Sequence, residues 1–190
     1  MNLNLLVVII ISVLALLLPS AAIAQRDFLT PEEVELVREA QEVDLRIEVL
    51  TQAIDRRFGV MNIDVGATKP KKGGNWGELP QGTRPQLFLD IRRLLQKAID
   101  DIDNLAERPD SMVIAEPEKG KKPKGYADIF PKAVRSLASA AARYKTVFET
   151  ELDKSTDNLE KGIILASLEM CDQIAAAVTK LPAEIKKEKH

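Results

Sequence analysis

The stretch TPEEVELVREAQEVDLRIEVLTQAIDRRFG, residues 30–59, decides the fold class. It opens as a helix start. Thr30 caps, Pro31 suits the first helical position, and Glu33 can reach back to complete a capping box. Behind this start Leu36, Ala40, Val43, Ile47, Leu50 and Ile54 recur alternately four and three residues apart. That is a heptad-like, coiled-coil-style seam, and it predicts one continuous helix over 31–58, ending at Phe58-Gly59.

The same period returns three times. Phe88, Ile91, Leu95, Ala98, Ile102 and Leu105 mark a helix over 84–107, opened by Thr83-Arg84-Pro85 and closed by Pro109. Val134, Leu137, Ala141, Tyr144 and Phe148 mark a third over 131–154. Alanines 138, 140 and 142 beside that seam let a neighbour approach closely. Leu159, Ile163, Ala166, Met170, Ile174, Val178 and Leu181 mark a fourth over 157–181. Rods of such similar length, each roughly 36–42 Å, predict an all-α fold. The expected arrangement is an antiparallel, up-down-up-down four-helix bundle with two long irregular loops, 59–83 and 108–130. The third connection, KSTDN, is short enough for a helical hairpin. Residues 60–65 and 112–115 are the only short strand candidates.

Residues 1–24 carry no charged side chain. An apolar run from Leu5 to Leu18 precedes Pro19-Ser20 and the small residues Ala22 and Ala24. This pattern reads as a signal peptide cut between Ala24 and Gln25, although no Lys or Arg stands at its start. The competing reading is an uncleaved N-terminal membrane anchor. The expectation is therefore an exported protein, periplasmic or secreted, with residues 25–190 forming a single helical-bundle domain. The formal charge of −2 and the pI near 5.6 speak against nucleic acid as a partner. A lone Cys171 excludes an internal disulfide. It reads as a buried structural thiol, with a disulfide between two copies as the sharper alternative.

Several chemistries are excluded by composition. The single histidine is His190, so Ser-His-Asp and Cys-His catalysis, Glu-x-x-His di-iron sites and histidine-ligated haem all lack their ligand. Lys121 and Lys122 follow Gly120, but Ala115 stands where a phosphate loop needs its first glycine. The stretch from Asp153 offers Asp153, Ser155 and Asp157 at the first, third and fifth places of a calcium loop. Asn158 and Ile164 then stand where glycine and the bidentate glutamate belong, so it reads as a capped turn. The carboxylate clusters Asp100, Asp101, Asp103 and Glu149, Glu151, Asp153 read as solvated helix faces. No catalytic residue, cofactor or metal site is expected.

The only tryptophan, Trp76, lies in KPKKGGNWGELPQGTRP, residues 69–85, among glycines, prolines and lysines. It has two readings: a cap folded back over the end of the core, or an exposed contact for a partner. With Lys71 and Lys72 in the same loop, and Lys121, Lys122 and Lys124 in the other, Trp76 forms the candidate partner-contact set. The lysines also have an internal reading. In the expected topology the first loop and its roots Arg56, Arg57 and Arg84 face acidic residues 149–160. The second loop faces Glu32, Glu33 and Glu35. The sequence thus points to a non-catalytic interaction or structural protein of the cell envelope, with an unknown protein partner or a homo-oligomer. The alternative is a binding module for an apolar ligand between the helices, or for anionic envelope lipid or polysaccharide at the basic loops.

Overall fold

A computed structural model describes residues 27–66, 75–111 and 124–181. Among these residues the protein is all-helical: α1 (Pro31–Glu39), α2 (Val43–Val60), α3 (Arg84–Glu107), α4 (Tyr126–Lys154) and α5 (Asn158–Val178), with a 3₁₀ turn at Pro109–Ser111. The strand candidate at 60–65 is a helix end and an irregular segment. The candidate at 112–115 lies outside the described residues, as do the predicted signal peptide and its cleavage site. No described helix is long and apolar enough to cross a membrane.

The seams explain the core. Val43, Ile47, Leu50 and Ile54 of α2 are buried, as are all six seam residues of α3 and all five of α4. α2 packs on α3 and on α4, and α5 packs on the same two helices. α3 and α4, although consecutive in the chain, touch each other less. At one end of this assembly Phe58 of α2 meets Phe88 of α3 at 6.3 Å and Tyr144 and Phe148 of α4 at 5.6 Å each, centroid to centroid. Arg84, at the start of α3, ties that end together by pairing with Glu151 of α4 and, at 3.1 Å, with Glu160 of α5. This bears out, for Arg84, the charge matching expected between the roots of the first loop and residues 149–160; the other two roots, Arg56 and Arg57, pair with Glu33 of α1 instead.

Three elements differ from the sequence expectation. The helix read as 31–58 is two helices. The chain leaves the α-conformation at Ala40 (ψ 75°), and α1 doubles back along α2, so that Glu33 reaches Arg57. Glu32 and Glu33 therefore lie beside the first loop and do not face the second. Lys124 pairs instead with Glu42, at the start of α2. No glycine or proline marks the break. It is set by tertiary pairing that local periodicity cannot show.

α4 begins at Tyr126, five residues early, and carries Pro131 inside it. The proline forfeits one backbone hydrogen bond. That first turn is held by the fully buried Ile129 and by Tyr126 stacked on Phe130 at 5.0 Å. The third difference is the facing of α5. Ile163 and Ile174 are buried as expected, but Leu159 is 68% exposed, and Ile164, Ser167 and Cys171 take the inner positions. α5 is apolar on more than one flank, so its period admits two phases.

Candidate functional site

Arg56 and Arg57 close the last turn of α2. In the sequence they read as roots of a basic loop, yet in the structure they organise a buried ion cluster. Arg57 is only 1% exposed. Its terminal nitrogens donate to the Glu33 carboxylate at 2.9 and 2.7 Å, and to the carbonyls of Ala53 and Phe28 at 2.6 and 2.5 Å. Arg56 donates to the same carboxylate at 2.8 Å and to the Glu78 carbonyl at 2.5 Å. Glu33 also accepts the Thr30 backbone N–H at 3.0 Å, completing the capping box. One fully buried carboxylate thus serves a helix cap and two guanidinium groups. The Nε–H of Arg57 has no acceptor, because Asp90 Oδ2 stands 4.0 Å away, beyond hydrogen-bond reach.

This cluster positions the segment that carries Trp76. The indole is half-buried against the core, with the Arg56 guanidinium 5.3 Å from its ring centroid. The next residue, Gly77, has φ +57°, and a Cβ there would lie 2.3 Å from the Glu32 side chain. Trp76, Arg56, Glu33 and Glu32 thus form one contact chain from loop to helix. Beside it opens a cleft of 410 Å³ between α1, the 78–81 segment and the facing ends of α2 and α3. Arg57 and Asp90 lie in its lining; Leu29, Pro31, Leu79 and Pro80 give it apolar walls; Asp27, Glu32 and Glu78 stand around it as carboxylates. Leu79 is 64% exposed.

Of the other candidate residues, Lys124 belongs to a second charged cluster. It pairs with Glu42 at 2.5 Å, while Lys132 pairs with the fully buried Asp44 at 2.5 Å and with Glu48 at 3.5 Å. Burial disfavours the Lys132 ammonium, but Asp44 outweighs it, so the group holds its proton more tightly than a free lysine. Lys71, Lys72, Lys121, Lys122, Ala24 and Gln25 lie outside the described residues.

Tyr144, Asp55, Asp157 and Asp101 are each bonded within the protein, and Cys171 is buried. Tyr144 is fully buried and donates to Asp55 at 2.7 Å. Burial and the Asp55 carboxylate push its phenol well above the usual tyrosine range. Burial raises the Asp55 carboxyl in turn, against the pull of Tyr144 and Arg143. Cys171 is a buried free thiol, which burial pushes up to about 12. Asp157 is occupied as the cap of α5, accepting from the N–H groups of Leu159 and Glu160 at 2.7 and 3.0 Å. Asp101 pairs with Lys97 at 3.1 Å and Arg46 at 3.6 Å.

The Glu33–Arg57–Asp90 grouping was not anticipated from the sequence as a site, although a signal for it existed. Arg57 falls seven residues after Leu50 and three after Ile54, on the buried seam itself. A charged residue at such a position has to find partners. Comparison with known proteins finds no matching family model, no similar curated protein and no similar solved structure.

Proposed function

We propose that this chain is an exported, non-catalytic binding protein. In this reading its long helices form an up-down-up-down bundle, and that scaffold holds a recognition site at the end where Trp76 and the cleft lie. The observation that carries the reading is that this end is built. A segment rich in glycine and proline is fastened by Arg56, and it walls a cleft of 410 Å³, within the size range of small-molecule sites. The non-catalytic part is supported by the states of the polar groups. The best nucleophile, the Cys171 thiol, is buried and raised to about 12, and the Tyr144 phenol is committed to Asp55. Export rests on the pattern of residues 1–24.

Two measurements test the proposal. The amino-terminal sequence of the protein recovered from the envelope or the medium should begin at Gln25, and an intact Met1 would remove the cleaved-export reading. Trp76, the sole tryptophan, reports directly on the cleft end. Titrating the purified chain with small ligands of positive, negative and no charge should give a saturable change in its emission for at least one class. That change should be lost in Leu79→Ser. If no class gives a change that depends on Leu79, the binding reading fails.

A further inference from the structure

Resting on that reading of the cleft, we infer that its ligand is a neutral polyol: a small molecule bearing several hydroxyl groups, as a monosaccharide does. The inference starts from two buried residues in the lining, Arg57 and Asp90, which are 1% and 2% exposed. The Arg57 Nε–H has no acceptor among the described residues. Asp90 Oδ2 faces it across 4.0 Å, too far for a direct bond. A native structure seldom leaves such a donor unmatched unless a water or a ligand completes it.

The gap sets what can complete it. One oxygen standing about 2.8 Å from each atom spans it. That oxygen has to accept from the guanidinium and donate to the carboxylate. A hydroxyl does both. An ammonium group has nothing to accept with, and a carboxylate has nothing to donate to Asp90 and would set two like charges side by side. Arg56 and Arg57 are already balanced by Glu33 and Asp90, so this part of the cleft calls for no charge on the ligand.

The rest of the lining suits further hydroxyls and the carbons that bear them. Asp27, Glu32 and Glu78 offer acceptors for O–H donors, while Leu29, Leu79 and Pro80 offer apolar surface for C–H faces. A lone water would fill the gap between Arg57 and Asp90 but would leave both unused.

The same chemistry has two sources, a free polyol or the end of a glycan chain. Calorimetry on the purified full chain separates them. The free probes are myo-inositol, glucose, galactose and mannose; maltose, lactose and mannobiose stand for glycan ends. Cyclohexanol, cyclohexylamine and cyclohexanecarboxylate serve as counterparts with one hydroxyl, a positive charge and a negative charge.

At least one polyol should bind, and a disaccharide that binds more tightly than its monosaccharide identifies a glycan end as the source. The three counterparts should bind about tenfold more weakly or not at all. Added salt should leave polyol binding unchanged, because the ligand carries no charge. In nitrogen-15 spectra the Arg57 Nε–H resonance should move on saturation. Asp90→Asn should weaken binding by about fivefold or more, with thermal melting as the check on its fold; if that variant does not fold, the resonance decides alone. Preference for a counterpart, abolished by Leu79→Ser, overturns the polyol inference and leaves the binding reading standing. Polyol binding that leaves the Arg57 Nε–H resonance unmoved overturns the assignment to Arg57 and Asp90, as does binding indifferent to a folded Asp90→Asn. Silence from every probe means a water only and overturns the inference, and the wider ligand titration then decides the binding reading separately.

Discussion

Replacing Glu33 by alanine tests how α1 is held. The carboxylate is 0% exposed and accepts from Arg56, Arg57 and the Thr30 N–H. Removing one partner of a buried ion pair costs about 3–5 kcal/mol if the other charge stays trapped. Arg57 need not stay trapped, because α1 is a short helix whose apolar support is small. Leu36 and Val37 are only half-buried, worth about 1 kcal/mol each at half of full burial. Releasing α1, at roughly 2 kcal/mol, is therefore cheaper than keeping an unpaired guanidinium beneath it.

Glu33→Ala should accordingly detach α1 and leave α2–α5 folded. Hydrogen exchange would show amides 34–39 losing their protection while those of α2–α5 keep theirs. The melting temperature should fall by about 4–8 °C, the shift that roughly 2 kcal/mol produces in a chain of this size. Trp76 emission should move to the red, because Glu32 leaves Gly77 and Arg56 loses its carboxylate. The double variant Glu33→Met/Arg57→Met should recover most of the loss, since no buried charge then lacks its partner. A fall well beyond 10 °C with the α1 amides still protected would refute the reasoning, and so would no change in either measurement.

Three further variants probe other joints. Gly77→Ala imposes a positive φ on a residue with a Cβ, at about 1–2 kcal/mol, and drives that Cβ into Glu32. A red shift of Trp76 emission is expected, and Glu32→Ala in the same chain should relieve the clash but not the backbone term. Arg84→Ala leaves Glu151 and Glu160 without their shared partner, at about 1.5–3 kcal/mol from lost charged hydrogen bonds. Burial works to raise the Glu151 carboxyl, but Arg84 and Lys154 outweigh it and hold the group below its ordinary value. Its stabilising contribution is therefore present above the ordinary carboxylate range and lost as pH falls through the lowered value. Urea melts should show the Arg84→Ala deficit at pH 7 shrinking on acidification. Asp55→Asn has the opposite sign. Burial raises that carboxyl in the folded chain, so its ionisation costs stability as pH rises past the ordinary aspartate value. The variant should gain on the wild type between pH 4 and pH 7, and a difference that shrinks over that window would count against the assignment.

How much could be read in advance depended on whether a residue's place follows from its own helix. The inner faces of α2, α3 and α4 did: the seams fall on buried positions because each of these helices has one wide apolar stripe and a polar remainder. α5 did not, because Ile164, Leu165, Leu168 and Cys171 lie beside the seam read from its sequence and offer a second apolar flank. Its rotation is decided by the partners it meets; inside the packed assembly Ser167 and Cys171 fit where Ala166 and Met170 were expected.

The cleft was further out of reach. Its parts come from Asp27, residues 29–32, Arg57, residues 78–81 and Asp90, and the turn at Ala40 brings the first of these to the others. That turn has no local signature. Continuing the helix would keep backbone hydrogen bonds through 40–42. Breaking it lets one carboxylate satisfy two guanidinium groups and a cap, one of those groups buried at a seam position. The competition is between local and distant hydrogen bonding, and the outcome turns on the cost of a buried Arg57 without a partner. A sequence with leucine at position 57 removes that cost. It should favour the uninterrupted helix over 31–58, and it would then have no cleft. Hydrogen exchange across residues 38–44 of Arg57→Leu reads this directly: continuous protection through Ala40–Glu42 supports the argument, and a break retained there shows that something other than Arg57 sets the turn.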